Sequence, residues 1–244
     1  MKNSLQTILG ELKLKWIAEN LNAELVNAAR KKTDPEKLLE RLLAGELAAK
    51  KERAAQTRLR RARIPTLKTL DQFNFGWPEK INHDLVRHLF NLRFLEEKTN
   101  IVFIGTVGVG KTHLASALAY KVCQQGRNVI FTSAISMIQN LEGAIRKGAL
   151  QMEMRKYANA HLLIIDELGY LPINRQGSNI MFQVINERYE KASTIITTNR
   201  AYQDWAQFFD DDPTATSALL DRILHHCETV VIEGDSYRMK DKQR

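Results

Sequence analysis

Apolar residues near the start of the chain recur three or four positions apart: Leu5, Ile8, Leu9 and Leu12, then Trp16, Ile17, Leu21 and Leu25. That spacing makes one stripe on a helix, so residues 5–29 are predicted helical, with Trp16 read as core. A second helix is predicted from "TDPEKLLERLLAGELAAK", with Thr33 or Asp34 as cap, Pro35 in the first turn and Glu36 three positions beyond Thr33. Pro65 is expected to end it. The following "IPTLKTLDQFNFGWPEK" has no clear period; it reads as an ordered connector that lays Phe73, Phe75 and Trp77 against the next domain.

From residue 81 the pattern changes. A helix over 81–97 is followed by the short apolar strand "NIVFIG", the helix "HLASALAYKVCQQG" and the strand "NVIFTS". Two short helices over 134–159 lead to the strand "HLLIID". A helix over 178–191, the strand "STIITTN", helices over 202–209 and 214–227, and the strand "TVVIE" complete the series. Five strands separated by helices specify an α/β fold, a mostly parallel sheet with helices on both faces. The expected organisation is a small all-helical domain over 1–66, a connector over 67–80 and an α/β domain over 81–244.

Charge changes the picture of the first domain. The net +8 lies entirely within residues 1–70, which carry 16 Lys plus Arg against 8 Asp plus Glu, while the remainder carries 20 of each. The densest part is "KKERAAQTRLRRAR", with Lys50, Lys51, Arg53, Arg58, Arg60, Arg61 and Arg63. One-sided charge of this kind suits contact with a polyanion such as DNA. A solvated helical face and a basic membrane-surface helix are the alternatives. No apolar run approaches the ~18 residues of a membrane span, and the start has no compact hydrophobic signal region, so the cytoplasm is the expected location. Cys123 and Cys227 lie in apolar segments and are expected to be free thiols.

Candidate chemistry sits at strand ends. Gly105, Thr106, Val107, Gly108, Val109, Gly110, Lys111, Thr112 and His113 contain G-x-x-x-x-G-K-[ST] between a predicted strand and a predicted helix. In that context the glycines let the backbone wrap phosphates, Lys111 supplies a cation to them, and Thr112 is placed to ligate magnesium. Asp166 and Glu167 end the strand "HLLIID"; the first is suited to hold magnesium and the second to polarise an attacking water, a pairing that favours ATP hydrolysis over small-molecule phosphorylation. Asn199 ends "STIITTN" and either orients that water or caps a helix, the first only if its strand lies between those of Gly105 and Asp166. Arg222 and Arg238 are candidates for a cation on the developing charge. For Arg222 a surface salt bridge with Asp221 or Glu228 stands beside that reading. His225, His226 and Cys227, read as one helix, point in different directions and make no metal site.

With "FIGTVGVGKTHLASAL", "LLIIDELGYLP", "TIITTNR", "ALLDRILHH" and "GDSYR" in this order, and with the junction "RRARIPTLKTLDQFNF", nearly the whole chain resembles the IstB-type transposition helper ATPases. These are relatives of the DnaC-type helicase loaders in the AAA+ group. The resemblance implies a P-loop AAA+ core without the helical lid found elsewhere in the group, and a chain ending at Arg244 has no room for one. It implies ATP and Mg2+ as cofactors, Asp166 as the magnesium residue and Glu167 as the base. It further implies Asn199 as sensor of the γ-phosphate, Arg222 as a finger acting across a subunit interface and Arg238 as a second sensor. The implied activity is assembly as a homo-oligomer with ATP on double-stranded DNA, bending of that DNA and stimulation of the partner transposase. The loop departs from relatives in reading "GTVGVGK" without their Ser-Pro or Pro-Gly, which bears on loop stiffness. A DnaC-like helicase loader is the alternative, disfavoured by the basic first domain and the "RRAR" junction. A non-enzymatic scaffold is disfavoured by Lys111, Asp166 and Glu167.

Overall fold

The computed structural model describes residues 2–209 and 213–237, and the chain divides into two compact units, Met1–Thr57 and Arg58–Arg244. In the first, α1 (Lys2–Glu11) and α2 (Lys15–Lys31) precede α3 (Pro35–Ala62), which runs on into the second unit. The first predicted helix is thus two. Lys13 takes a left-handed φ of 56°, and the Leu14 N–H reaches back to the Leu9 carbonyl at 2.9 Å, which closes α1. Lys32, with φ 50°, closes α2 in the same way, through Thr33 N–H on the Ala28 carbonyl. Leu9, Ile17 and Leu42 are buried together, and Trp16 lies so close over α3 that a Cβ on Gly45 would stand 2.3 Å from its ring. α3 ends at Ala62, before Pro65, with Arg63 in a left-handed conformation.

The second unit is a three-layer α/β fold. Its strands are β1 (Lys80–Ile81), β2 (Asn100–Gly105), β3 (Val129–Ser133), β4 (Leu162–Leu168), β5 (Ser193–Thr198) and β6 (Cys227–Glu233). They lie in the order β1-β6-β2-β5-β4-β3, all parallel except the two-residue β1, which runs antiparallel to β6 and was absent from the sequence reading. The helices are α4 (His83–Leu89), α5 (Phe94–Glu97), α6 (Lys111–Gln124), α7 (Ala134–Arg146), α8 (Leu150–Ala158), α9 (Arg175–Arg188), α10 (Trp205–Phe208) and α11 (Pro213–Leu224). The single helix expected over 81–97 is α4 and α5, separated where Leu92 takes φ 60°. α11 stops at Leu224, so His225 and His226 occupy a turn and Cys227 opens β6.

Both faces of the sheet are covered, which is why its strands are nearly continuous apolar runs. Ile101 and Phe103 pack with Leu114, Leu118 and Val122 of α6 on one face. Val102, Leu163, Ile165 and Ile196 pack with Met137 and Leu141 of α7 and Met181 and Val184 of α9 on the other. Phe73 is buried in the first of these clusters, so the connector does lie on the α/β unit. No helix among the described residues is long and apolar enough to cross a membrane.

Candidate functional site

The strand order puts β5 between β2 and β4, so the carboxyl ends carrying Gly105, Asp166 and Asn199 converge. Ligands of open parallel sheets bind at that edge. After β2 the chain enters a tight loop in which Gly108 and Gly110 have φ of 84° and 104°, values that side chains rarely adopt. The loop is also hemmed in. A Cβ on Gly108 would meet Ser236 at 2.0 Å, and one on Gly110 would meet the Phe73 ring at 2.5 Å. The segment after β6 fastens it further, with Thr106 Oγ1 donating to the Gly234 carbonyl at 3.1 Å and the Tyr237 N–H to the Gly108 carbonyl at 3.0 Å.

Lys111 opens α6 and is buried, its Nζ donating to the carbonyls of Gly105 and Thr106 at 2.7 Å each. A cation is therefore anchored inside the loop at the amino end of a 14-residue helix, where unpaired N–H groups and the helix dipole favour an anion. Thr112 Oγ1 donates to Asp166 at 3.0 and 3.2 Å. His113 Nε2 lies 3.0 Å from the Thr69 carbonyl oxygen, and its ring meets Phe73 edge-on at 5.4 Å. Burial holds its pKa below the usual imidazole value against the pull of the Thr69 carbonyl, with Lys68 adding to the depression.

Asp166 is buried and Glu167 exposed, although they are adjacent. The β4 to β5 register shifts between Ile165 and Leu168, and Glu167 takes φ 60° there, so the irregularity turns its carboxylate out of the strand alternation. Thr197 of β5 braces the pair: its hydroxyl donates to Asp166 Oδ1 and accepts the Glu167 N–H at 3.0 Å. Sequence reasoning missed Thr197. Its only signal was a hydroxyl in a strand whose six residues are all buried. Asn199 is half-buried, and its Oδ1 is enclosed with no hydrogen-bond partner. It does not cap a helix, since the next helical turn begins at Tyr202 with Ala201 before it.

The loop residues Val107–His113 and Glu167 line a cavity of 460 Å³ together with Lys68, Phe73, Trp77, Tyr170 and Tyr237. Trp77 is tied there by Nε1 donating to the Asp235 carbonyl at 3.0 Å and by an edge contact with Tyr237. A second cavity of 770 Å³ shares Thr112, His113 and Glu167 and adds Asp166, Arg61, Arg63 and Lys156. The glycine cradle, the anchored lysine, the paired hydroxyl and carboxylate and the orphaned amide oxygen fit a nucleoside triphosphate with a divalent cation.

The remaining candidates are dispersed. Arg222 on α11 donates to Asn186 Oδ1 and the Ala218 carbonyl, each at 3.0 Å, and lies 4.7 Å over the Phe182 ring. Neither Asp221 nor Glu228 pairs with it. Arg238 lies outside the described residues. Arg53 pairs with buried Glu46 at 2.8 Å, and Arg58 Nε donates to the Cys123 carbonyl at 2.9 Å. Lys50, Lys51, Arg60, Arg61 and Arg63 are exposed. Exposed Glu190 stands beside His225 and His226, with ligand-capable atoms within 4.8 Å of one another, while His225 Nδ1 is held by the Tyr189 hydroxyl at 2.8 Å. Both cysteines are free, their thiols pushed up to about 11 by burial.

The family model for IstB-like ATP binding proteins matches residues 7–244. The chain is 38% identical to the insertion sequence IS21 ATP-binding protein of Pseudomonas aeruginosa, over 99% of this chain and 91% of that one. It is 37% identical to the IS232 counterpart of Bacillus thuringiensis subsp. berliner, over 99% and 97%. Among solved structures it is similar to a DNA replication initiation factor, with TM-score 0.57 and 27% identity over 73% of this chain. It spans only about half of that protein, 53%. It is also similar to the DnaC helicase loader, with TM-score 0.54 and 26% identity over 68% of this chain and 96% of that one.

Proposed function

The chain belongs to the family of IstB-like ATP-binding proteins, and we propose that within it this protein is an ATP-dependent transposition helper, assembling on duplex target DNA, bending it and stimulating a partner transposase. ATP binding and hydrolysis are the general activity of the family. The observation that carries the finer reading is the near end-to-end match to ATP-binding proteins of insertion sequences. The basic stretch at the end of α3 supports the DNA part.

When bound, magnesium neutralises charge on the phosphate oxygens. Thr112 and Asp166 would hold it. Lys111 and the loop amides bind the β and γ phosphates and orient them against the strand ends. Glu167, turned out of β4 toward the shared part of the two cavities, takes the proton of the attacking water, and the Asn199 amide orients that water from β5. Arg222 completes the charge balance from a neighbouring subunit, a role compatible with its present hold on Asn186, which a side-chain rotation would release.

The similarity to the DnaC helicase loader supports a second reading, loading of a replicative helicase. One experiment separates them. The Glu167→Gln variant keeps the phosphate contacts, so it should bind ATP normally while turnover falls by roughly 10²-fold or more. It should therefore accumulate ATP-bound particles on duplex DNA, seen as a rise in sedimentation coefficient that needs both ligands. A rise with ATP that ignores duplex DNA would favour the loader, and undiminished turnover would remove Glu167 from the chemistry.

A further inference from the structure

Eight of the seventeen exposed large apolar side chains among the described residues fall in the first unit. Three of them, Leu39, Leu43 and Leu47, are 56%, 51% and 55% exposed and stand four residues apart on α3. They form one stripe along the helix, beside the face whose Leu42 is buried against α1 and α2. Scattered exposed leucines are ordinary, but a continuous stripe of them marks a contact surface.

Its ends identify the occupant. Seven residues before Leu43 on the same face stands Glu36, and seven after it stands Lys50, both exposed. The face therefore reads Glu36, Leu39, Leu43, Leu47, Lys50, and it is its own complement when turned end for end. Two copies laid antiparallel about a two-fold axis at Leu43 set Leu43 on Leu43, Leu39 on Leu47 and Glu36 on Lys50, each contact made twice. A parallel pair would oppose Glu36 to Glu36 and Lys50 to Lys50, which like charge disfavours.

We propose that α3 is a homotypic antiparallel interface that joins two copies of this chain in the absence of nucleotide and DNA. It is independent of the interface at which Arg222 acts, and it gives Lys50 to a protein partner, leaving phosphate contacts to Lys51 and the exposed arginines after it.

The wild-type chain, free of nucleotide and DNA at low salt and tens of micromolar, should sediment as a dimer. Leu43→Glu should raise the dissociation constant by about tenfold or more, since it sets two carboxylates on the axis. Glu36→Lys and Lys50→Glu should each do the same, and the double variant should return to within about threefold of wild type. Within one helix these residues lie about 21 Å apart, so an internal contact cannot produce the rescue. Circular dichroism of each variant checks that the helices persist.

A second measurement does not rely on charge. Leu43→Cys should crosslink to its own copy with a short bismaleimide, and Lys37→Cys, on another exposed face, should not; the native thiols, with pKa of about 11, react slowly. An unchanged mass for Leu43→Glu, a double variant as weak as the single ones, or equal crosslinking at both positions would overturn the proposal and give the stripe to another occupant.

Discussion

A single hydroxyl holds the two acids of the site in place. Thr197 donates to Asp166 and accepts from the Glu167 N–H, so it fixes the carboxylate at the end of β4 and the left-handed residue beside it. Hydrogen bonds to charged groups are worth about 1.5–3 kcal/mol. Thr197→Val should therefore lower ATP turnover by about tenfold or more while nucleotide affinity changes little, because the loop and Lys111 are untouched. Thr197→Ser should restore most of the turnover. Steady-state kinetics beside nucleotide titration decide it, and a valine variant with full turnover would reduce the brace to packing. Thr197 also shows what the sequence withholds at this scale. Lys111, Thr112, Asp166 and Glu167 stood out as candidates because each lies in a short local pattern at a strand end. Thr197 matters only because β5 lies against β4, and strand order is a property of the folded sheet. The same order supplies what the sequence could not for Asn199: β5 lies between β2 and β4, the condition under which its amide is a candidate to orient water.

Among the elements, α2 begins without a capping side chain of its own, and the missing acceptor comes from α3. Glu46 is buried and accepts the Ile17 N–H at 3.1 Å in the first turn of α2, while Arg53 holds its other oxygen at 2.8 Å. Burial alone would raise the Glu46 pKa. The backbone N–H of Ile17 and the Arg53 guanidinium outweigh it, and the net value falls below the usual one. A carboxyl with a depressed folded pKa stabilises most above the unfolded value, and loses that contribution as pH falls through the folded value. Hydrogen exchange of peptides covering α2 should thus accelerate as pH drops below about 4, after correction for intrinsic rates. Glu46→Gln should exchange faster at neutral pH and show no such acid limb; an acid limb equal to wild type would exclude Glu46 as its source. The helices themselves were readable from spacing, but several of their ends were not. Lys13, Lys32, Arg63, Leu92 and Lys98 take left-handed conformations at helix ends, where a glycine would have announced the stop.

For the whole molecule, the one-sided charge was visible in the sequence, whereas its position relative to Asp166 and Glu167 was not. Arg61 and Arg63 line the 770 Å³ cavity that also holds Asp166 and Glu167, because α3 ends beside the α/β core and not in a separate basic arm. Arg53 and Arg58 are already engaged by Glu46 and the Cys123 carbonyl. Under the proposed function, the exposed Arg60, Arg61 and Arg63 are left, beside Lys51, to meet a duplex. If each neutralises one phosphate, replacing all three with Ala should flatten the dependence of log affinity on log salt by about 2.7, from a slope of about 0.9 per contact. The loss should be equal for two unrelated duplexes, since phosphate contacts carry little base information. The shared cavity adds an expectation that charge counting alone would miss. A phosphate backbone held by Arg61 and Arg63 lies next to Glu167, so DNA should alter the turnover of wild type, and the triple variant should lose that response even at duplex concentrations high enough to restore binding. Fluorescence anisotropy titrations at several salt concentrations, with ATP turnover measured at saturating duplex, test both parts. Wild-type slope and affinity in the triple variant would move the DNA contact elsewhere on the chain; a preserved turnover response at restored binding would separate the duplex from the acids and leave the cavity to the nucleotide alone.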